Sequence, residues 1–101
     1  MRRNIVEFLA NLPYSKVTRI IEENRQFHKE VEHELVLTTE QICTTFDTFL
    51  LKEVLDVSFR YFSENIGFLY LHTTKGMYSY TVKTSPENFI KQFKEIKHSQ
   101  S

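Results

Sequence analysis

The segment FLYLHTTKGMYSYTV (residues 68–82), running into KTSPENFIKQFKEIK (residues 83–97), decides the fold. Both halves of the first segment are rich in aromatic and β-branched residues, and Lys75-Gly76 supplies a turn between them. That pattern predicts a β-hairpin. A loop with an even number of residues puts Leu69, Leu71 and Thr73 on one face with Val82, Tyr80 and Tyr78. The opposite face then carries Tyr70 and His72 with Met77, Ser79, Thr81 and Lys83. A three-residue loop would reverse the pairing; the first set makes the better core face. In the second segment Ser85-Pro86-Glu87 reads as N-cap, proline at the first helical position and an acid in the first turn. Phe89, Ile90, Phe93 and Ile96 then recur at helical spacing, with Lys91, Gln92, Lys94 and Glu95 off the stripe. A helix over residues 86–97 is expected, with 98–101 fraying.

Upstream, Leu55, Val57, Phe59 and Tyr61 alternate with Asp56, Ser58 and Arg60, the pattern of a half-buried strand. Two shorter strands fit residues 31–38 and 42–48, with Thr38-Thr39-Glu40 as the polar turn between them. Five consecutive strands closed by one helix make an antiparallel α+β arrangement. The first thirty residues read less clearly. Val17, Ile20, Ile21, Asn24, Phe27 and Val31 fit one helical face, although Val-Thr-Arg-Ile-Ile is β-branched enough for a strand. The expectation for residues 15–29 is a helix.

The chain has 101 residues, 41% hydrophobic and 26% charged, with two glycines and two prolines. That is one domain, able to bury roughly two-thirds of its unfolded surface, and not a disordered or collagen-like chain. Thirteen basic residues balance thirteen acidic ones, which disfavours a dedicated nucleic-acid binder. A single cysteine, Cys43, leaves no intrachain disulfide and no cysteine-rich metal site. Residues 5–12 are broken by Glu7 and ended by Pro13, too short for a secretory signal. The apolar run 66–71 is far below a membrane span. A cytoplasmic protein is expected.

No constellation carries a reaction. His28 and His33 lie five residues apart, unlike the i, i+4 pair of a zinc helix, and no metal site is expected. Cys43 stands without a motif and reads as a small strand side chain. The Glu30-Val-Glu-His-Glu cluster reads as a solvated strand edge, where charge discourages pairing with another chain. Gly67 and Gly76 are the only glycines, so no phosphate-cradling loop exists and no cofactor is expected.

Five short segments taken in order resemble bacterial pleckstrin-homology-like domains. Leu35-Val-Leu-Thr-Thr-Glu-Gln-Ile is similar to the family's second strand and turn. Leu50-Leu-Lys-Glu-Val-Leu-Asp-Val-Ser, with Val54 and Val57 three apart, is similar to its third strand. Leu69-Tyr-Leu-His-Thr, Gly76-Met-Tyr-Ser-Tyr and Ser85-Pro-Glu-Asn-Phe-Ile are similar to its final hairpin and closing helix. The resemblance covers about residues 31–97 and not 1–30. It implies a bent antiparallel sheet or barrel of five to seven strands capped by a C-terminal helix. It also implies a binding or scaffold role rather than a reaction: a non-catalytic module that binds protein or self-associates as a homo-oligomer. The outward face of the last hairpin, Tyr70, His72, Ser79, Thr81 and Lys83, is the expected partner surface, unless the N-terminal helix covers it. Two alternatives stand beside it. One is a lipid-head-group binder using Lys91, Lys94 and Lys97; membrane partners are otherwise disfavoured. The other is a small enzyme using His72 or Cys43.

Overall fold

A computed structural model of the chain describes residues 6–99. Seven strands precede one helix: β1 (Phe8–Glu22), β2 (Arg25–Thr38), β3 (Gln41–Cys43), β4 (Thr48–Leu50), β5 (Val54–Ser63), β6 (Ile66–Thr73), β7 (Gly76–Val82) and α1 (Glu87–Ser99). A 3₁₀ turn, Leu51–Glu53, joins β4 to β5. All pairs are antiparallel, in the order β4-β3-β2-β1-β7-β6-β5, so the fold is α+β.

The β6–β7 hairpin takes the even loop. Its turn is Thr74-Lys75, closed by the pair Thr73↔Gly76, and Leu69 and Leu71 face Tyr80 and Tyr78. The Thr73 hydroxyl fastens this turn, donating to the Gly76 carbonyl at 2.7 Å and accepting from the Lys75 N–H at 3.1 Å. Gly76 sits at φ +127°, a backbone region that a side chain would strain. Every second residue of β6 (Gly67, Leu69, Leu71, Thr73) is buried, the signature of a strand with one face on the core.

The core lies between the two halves of the sheet. Leu12, Leu35, Leu37, Ile42 and Phe49 come from β1–β4, and Val54, Val57, Leu69, Leu71 and Val82 from β5–β7. Phe89 and Phe93 of α1 complete it, the helix packing on β1 and β5. The Ser85 hydroxyl accepts the Glu87 N–H at 3.3 Å, as the N-cap reading required. At its far end Lys97 donates to the Leu51 carbonyl, tying helix to 3₁₀ turn. His98 and Ser99 remain helical; the rest of the tail expected to fray, residues 100–101, lies outside the described residues.

The helix expected over residues 15–29 is not there. These residues form the outer half of the β1–β2 hairpin, paired continuously from Lys16↔Val31 to Glu22↔Arg25. Glu23 (φ 49°) and Asn24 (φ 64°) make its two-residue turn, both left-handed as a type I′ turn requires. Val17, Thr18, Ile20 and Ile21 are stiff at χ1 and favour the extended ribbon. The apparent helical stripe was a coincidence of spacing. The hairpin stands clear of the body as an arm: every residue from Lys16 to Glu30 is exposed. The molecule is 58 × 34 × 22 Å, and its radius of gyration of 15.6 Å exceeds the roughly 12.7 Å of a compact chain this long.

Two local readings also change. Residues 42–48 are not one strand: Thr44 accepts the N–H groups of Phe46 (3.0 Å) and Asp47 (2.8 Å), making a turn that separates β3 from β4. Leu55 is not on the core face but 63% exposed, because a bulge between Val54 and Asp56 makes it the extra residue of β5.

Candidate functional site

The five residues expected to form a partner surface do share the outer face of the last hairpin, and the structure divides them. Tyr70 pairs with Ser79 and, across β5, with Ser58; His72 pairs with Met77 and Asp56. The Ser58 hydroxyl lies 2.9 Å from His72 Nε2. Phe62, Phe68, Tyr70 and His72 form a ladder of rings at 5.8, 6.4 and 6.5 Å between successive centroids. Lys83 is drawn away from this group, donating to Glu30 at the base of the arm. That bond, with a second from Ser15, holds the Glu30 carboxyl below its ordinary range. No helix covers the face among the described residues, since the segment expected to do so is the arm.

Ser79 and Thr81 belong to a different feature. The strands β1 and β7 are bridged only at Ser15↔Thr81. Beyond it they diverge, β1 into the arm and β7 toward its hairpin turn. A cleft of about 440 Å³ opens at this fork, lined by Tyr14, Lys16 and Val17 on one side and by Tyr78, Ser79, Tyr80 and Thr81 on the other. The β3–β4 turn supplies Thr44, Phe46 and Asp47 to its wall.

The interior of the cleft is aromatic. Tyr14 meets Tyr80 edge-on at 5.0 Å and His33 at 5.6 Å, and His33 meets Phe46 at 5.3 Å. Thr45 Oγ1 lies 3.1 Å from His33 Nδ1, fixing the turn over the strand. Lys16 Nζ stands 4.0 Å from the centre of the Phe46 ring, a cation–π contact that holds a charge at the rim. Inside, the Tyr80 hydroxyl is buried and has no hydrogen-bond partner among the described residues. Burial first, and the charge of Asp47 second, push this phenol above its ordinary value. It therefore stays a neutral O–H, a donor without an acceptor. Such a group costs roughly 1–3 kcal/mol until something accepts from it.

The sequence offered Ser79 and Thr81 as surface residues and put Tyr80 on the core face, but not the cleft that joins them to Tyr14, Lys16 and Phe46. Tyr14 and Lys16 lie on β1 and Phe46 on the β3–β4 turn, far from β7 in the chain. The signal that could have found the arm is the Glu23-Asn24 pair, a turn at the centre of a β-branched, aromatic stretch.

The remaining chemical candidates are dispersed. His28 and His33 alternate to opposite faces of β2, five residues apart in a strand. Cys43 Sγ is 2.8 Å from Gln41 Nε2 and 3.9 Å from Thr48 Oγ1. No group of three His, Cys, Asp or Glu side chains among the described residues is placed to hold a metal. Of the three helix lysines, Lys97 is occupied by the Leu51 carbonyl. No described helix is long and apolar enough to cross a membrane. The chain matches no protein-family model, no curated protein and no solved structure.

Proposed function

We propose that this chain is a non-catalytic interaction module built on a pleckstrin-homology-like fold, and that it works by presenting its β1–β2 arm to a protein surface, a second copy included. One observation carries the reading: the arm projects from the body with Val17 (61% exposed), Ile20 (37%), Ile21 (68%) and Phe27 (46%) uncovered. An isolated two-stranded ribbon is marginal in water and gains stability when its apolar side chains are covered. Ile20 and Phe27 face each other across the ribbon, while Val17 and Ile21 lie on its other side. Both faces of the arm therefore offer contact. The outer face of β5–β7, with its ring ladder through Tyr70 and His72, extends the same surface beyond the arm. The strand order and closing helix support the fold part of the proposal.

The test is the double variant Ile21→Asp, Phe27→Asp. Light scattering over a wide concentration range measures self-association, and crosslinked capture identifies other proteins held by the arm. The expected result is an assembly or complex of the parent chain that the double variant loses while keeping its circular dichroism. A parent that stays monomeric, and whose captured proteins are all retained by the double variant, overturns the reading.

A further inference from the structure

The fork between β1 and β7 leaves two strand edges open toward each other. Ladder alternation says which groups they present. The β1–β2 turn is closed by Glu22↔Arg25, so Ile20, Thr18 and Lys16 exchange hydrogen bonds with β2 while Ile21, Arg19, Val17 and Ser15 turn theirs away. The β6–β7 turn is closed by Thr73↔Gly76, so Tyr78 and Tyr80 bond to β6 while Met77, Ser79 and Thr81 turn away. Both series meet at the bridge Ser15↔Thr81, as this alternation requires. Past the bridge, Val17 on one side and Ser79 on the other direct main-chain N–H and C=O groups into the cleft.

The other edge of the arm is guarded. On β2 the outward series is Gln26, His28, Glu30, Glu32 and Glu34; Glu30 is held by Lys83, and the two acids beyond it, Glu32 and Glu34, disfavour an added strand. The fork carries no acid on its strand edges from Ser15 to Ile21 or from Met77 to Thr81.

We infer that this cleft receives an extended peptide segment of a partner protein. The segment adds as a strand between Val17 and Ser79, with one inward side chain seated among Tyr14, Phe46 and Tyr80. The inference rests on the reading of the chain as a protein-binding module, but it uses a surface other than the apolar faces of the arm. Main-chain bonds to the open edges supply affinity, and the aromatic cavity selects the inward residue. That residue ends in a neutral acceptor, a side-chain amide or hydroxyl. The Tyr80 O–H lacks an acceptor, and the carboxylate of Asp47 in the same wall disfavours a second anion.

The probe is a displayed library of random peptides of about ten residues, long enough at ~3.3 Å per residue to span either edge. Enriched peptides are synthesised with a fluorophore and titrated by anisotropy against the full chain and four variants. Ser79→Pro and Val17→Pro each remove one N–H aimed into the fork without touching the β6 or β2 ladder. Tyr80→Phe removes only the buried hydroxyl, and keeps the test decisive if a proline variant misfolds. The arm variant Ile21→Asp, Phe27→Asp is the fourth. The expected result is weakening of about tenfold or more by each proline and by Tyr80→Phe, with little change in the arm variant. Peptides N-methylated at alternate residues should not bind. The inference is overturned by a library that yields nothing above a blank surface, or by peptides indifferent to both Ser79→Pro and Tyr80→Phe. Peptides lost only in the arm variant would overturn it while leaving the module reading intact. Undiminished binding of N-methylated peptides would overturn the strand geometry and assign the cavity to an isolated side chain or small molecule.

Discussion

Cutting the arm away should leave the body standing. In the variant considered, residues 17–30 are replaced by Asn-Gly, which joins Lys16 to Val31, a directly opposed pair suited to a two-residue turn. None of the buried core residues lies in the deleted segment; the nearest are Tyr14 and Leu35. The side chains removed are exposed, and the ion pair lost with Glu30 is a surface pair. Unfolding free energy should therefore stay within about 1 kcal/mol of the parent, the range of surface changes that touch no core. Shape should change far more. A compact chain of about 89 residues has a radius of gyration near 12 Å, against 15.6 Å for the parent, so scattering should report a fall of about 3 Å. Urea unfolding followed by tyrosine fluorescence, run at a dilution where the parent is monomeric, supplies the stability. A loss above about 2 kcal/mol, or an unchanged radius of gyration, would refute the picture of a self-sufficient body with an independent arm.

Three further outcomes follow from particular contacts. Phe93, 2% exposed beneath α1, should cost about 3–5 kcal/mol when changed to alanine, whereas the exposed Lys94→Ala should cost less than about 0.5; equal melting temperatures for the two would show that the helix is not docked. At Gly67 an added Cβ would run into the Phe59 ring and come within 2.8 Å of the Arg60 carbonyl, so Gly67→Ala should destabilise by about 1–3 kcal/mol, measured by denaturant unfolding. Glu53 accepts the Leu50 N–H at 3.0 Å, and this bond, with Lys75 a smaller contributor, holds its carboxyl below the ordinary 4.5. A depressed carboxylate stabilises the fold above its unfolded pKa and loses that contribution as pH falls through the folded value. Melting temperature followed downward from pH 5 should therefore fall more shallowly in Glu53→Gln than in the parent, and parallel curves would remove this role.

What could be read from the sequence was what is decided locally. The β6–β7 hairpin follows from alternation over a short span, and α1 from Ser85-Pro86-Glu87 and the Phe89–Phe93 stripe; neither needs knowledge of the rest of the chain. The outer-face grouping of Tyr70, His72, Ser79 and Thr81 was legible for the same reason, since pairing parity fixes it. The arm was not. Val17, Ile20, Ile21 and Phe27 satisfy a helical period and an extended ribbon about equally, and no core contact breaks the tie. The choice falls to the turn, where Glu23 and Asn24 both take left-handed backbone. Leu55 shows the same limit on a smaller scale, because a bulge shifts parity by one residue without marking the composition. The cleft is harder still: Tyr14, Phe46 and Tyr80 come from distant segments, gathered around it by the Ser15↔Thr81 bridge and the β3–β4 turn.

The arm is also where the energetics and the proposed role meet. Each residue fixed in an extended conformation loses about 1–2 kcal/mol of backbone entropy, and each ladder hydrogen bond returns only about 0.5–1.5. In the body the difference is made up by burial of Leu35, Leu37, Leu69 and Leu71, all fully enclosed. In the arm there is no such burial, and its cross-strand pairs, chiefly Ile20 with Phe27, are worth only about 0.2–1 kcal/mol each. The ribbon from Lys16 to Glu30 therefore stands close to balance by itself, and covering its apolar side chains shifts that balance strongly toward order. Glu32 and Glu34 disfavour an added strand on the β2 side of the arm, whereas at the fork β1 and β7 are open and Tyr80 lacks an acceptor. A partner strand seated there would continue the sheet along β1 only as far as the base of the arm, at Val17. It would leave Ile21 and the Ile20–Phe27 pair toward the tip uncovered, so the fork and the arm can hold their partners separately.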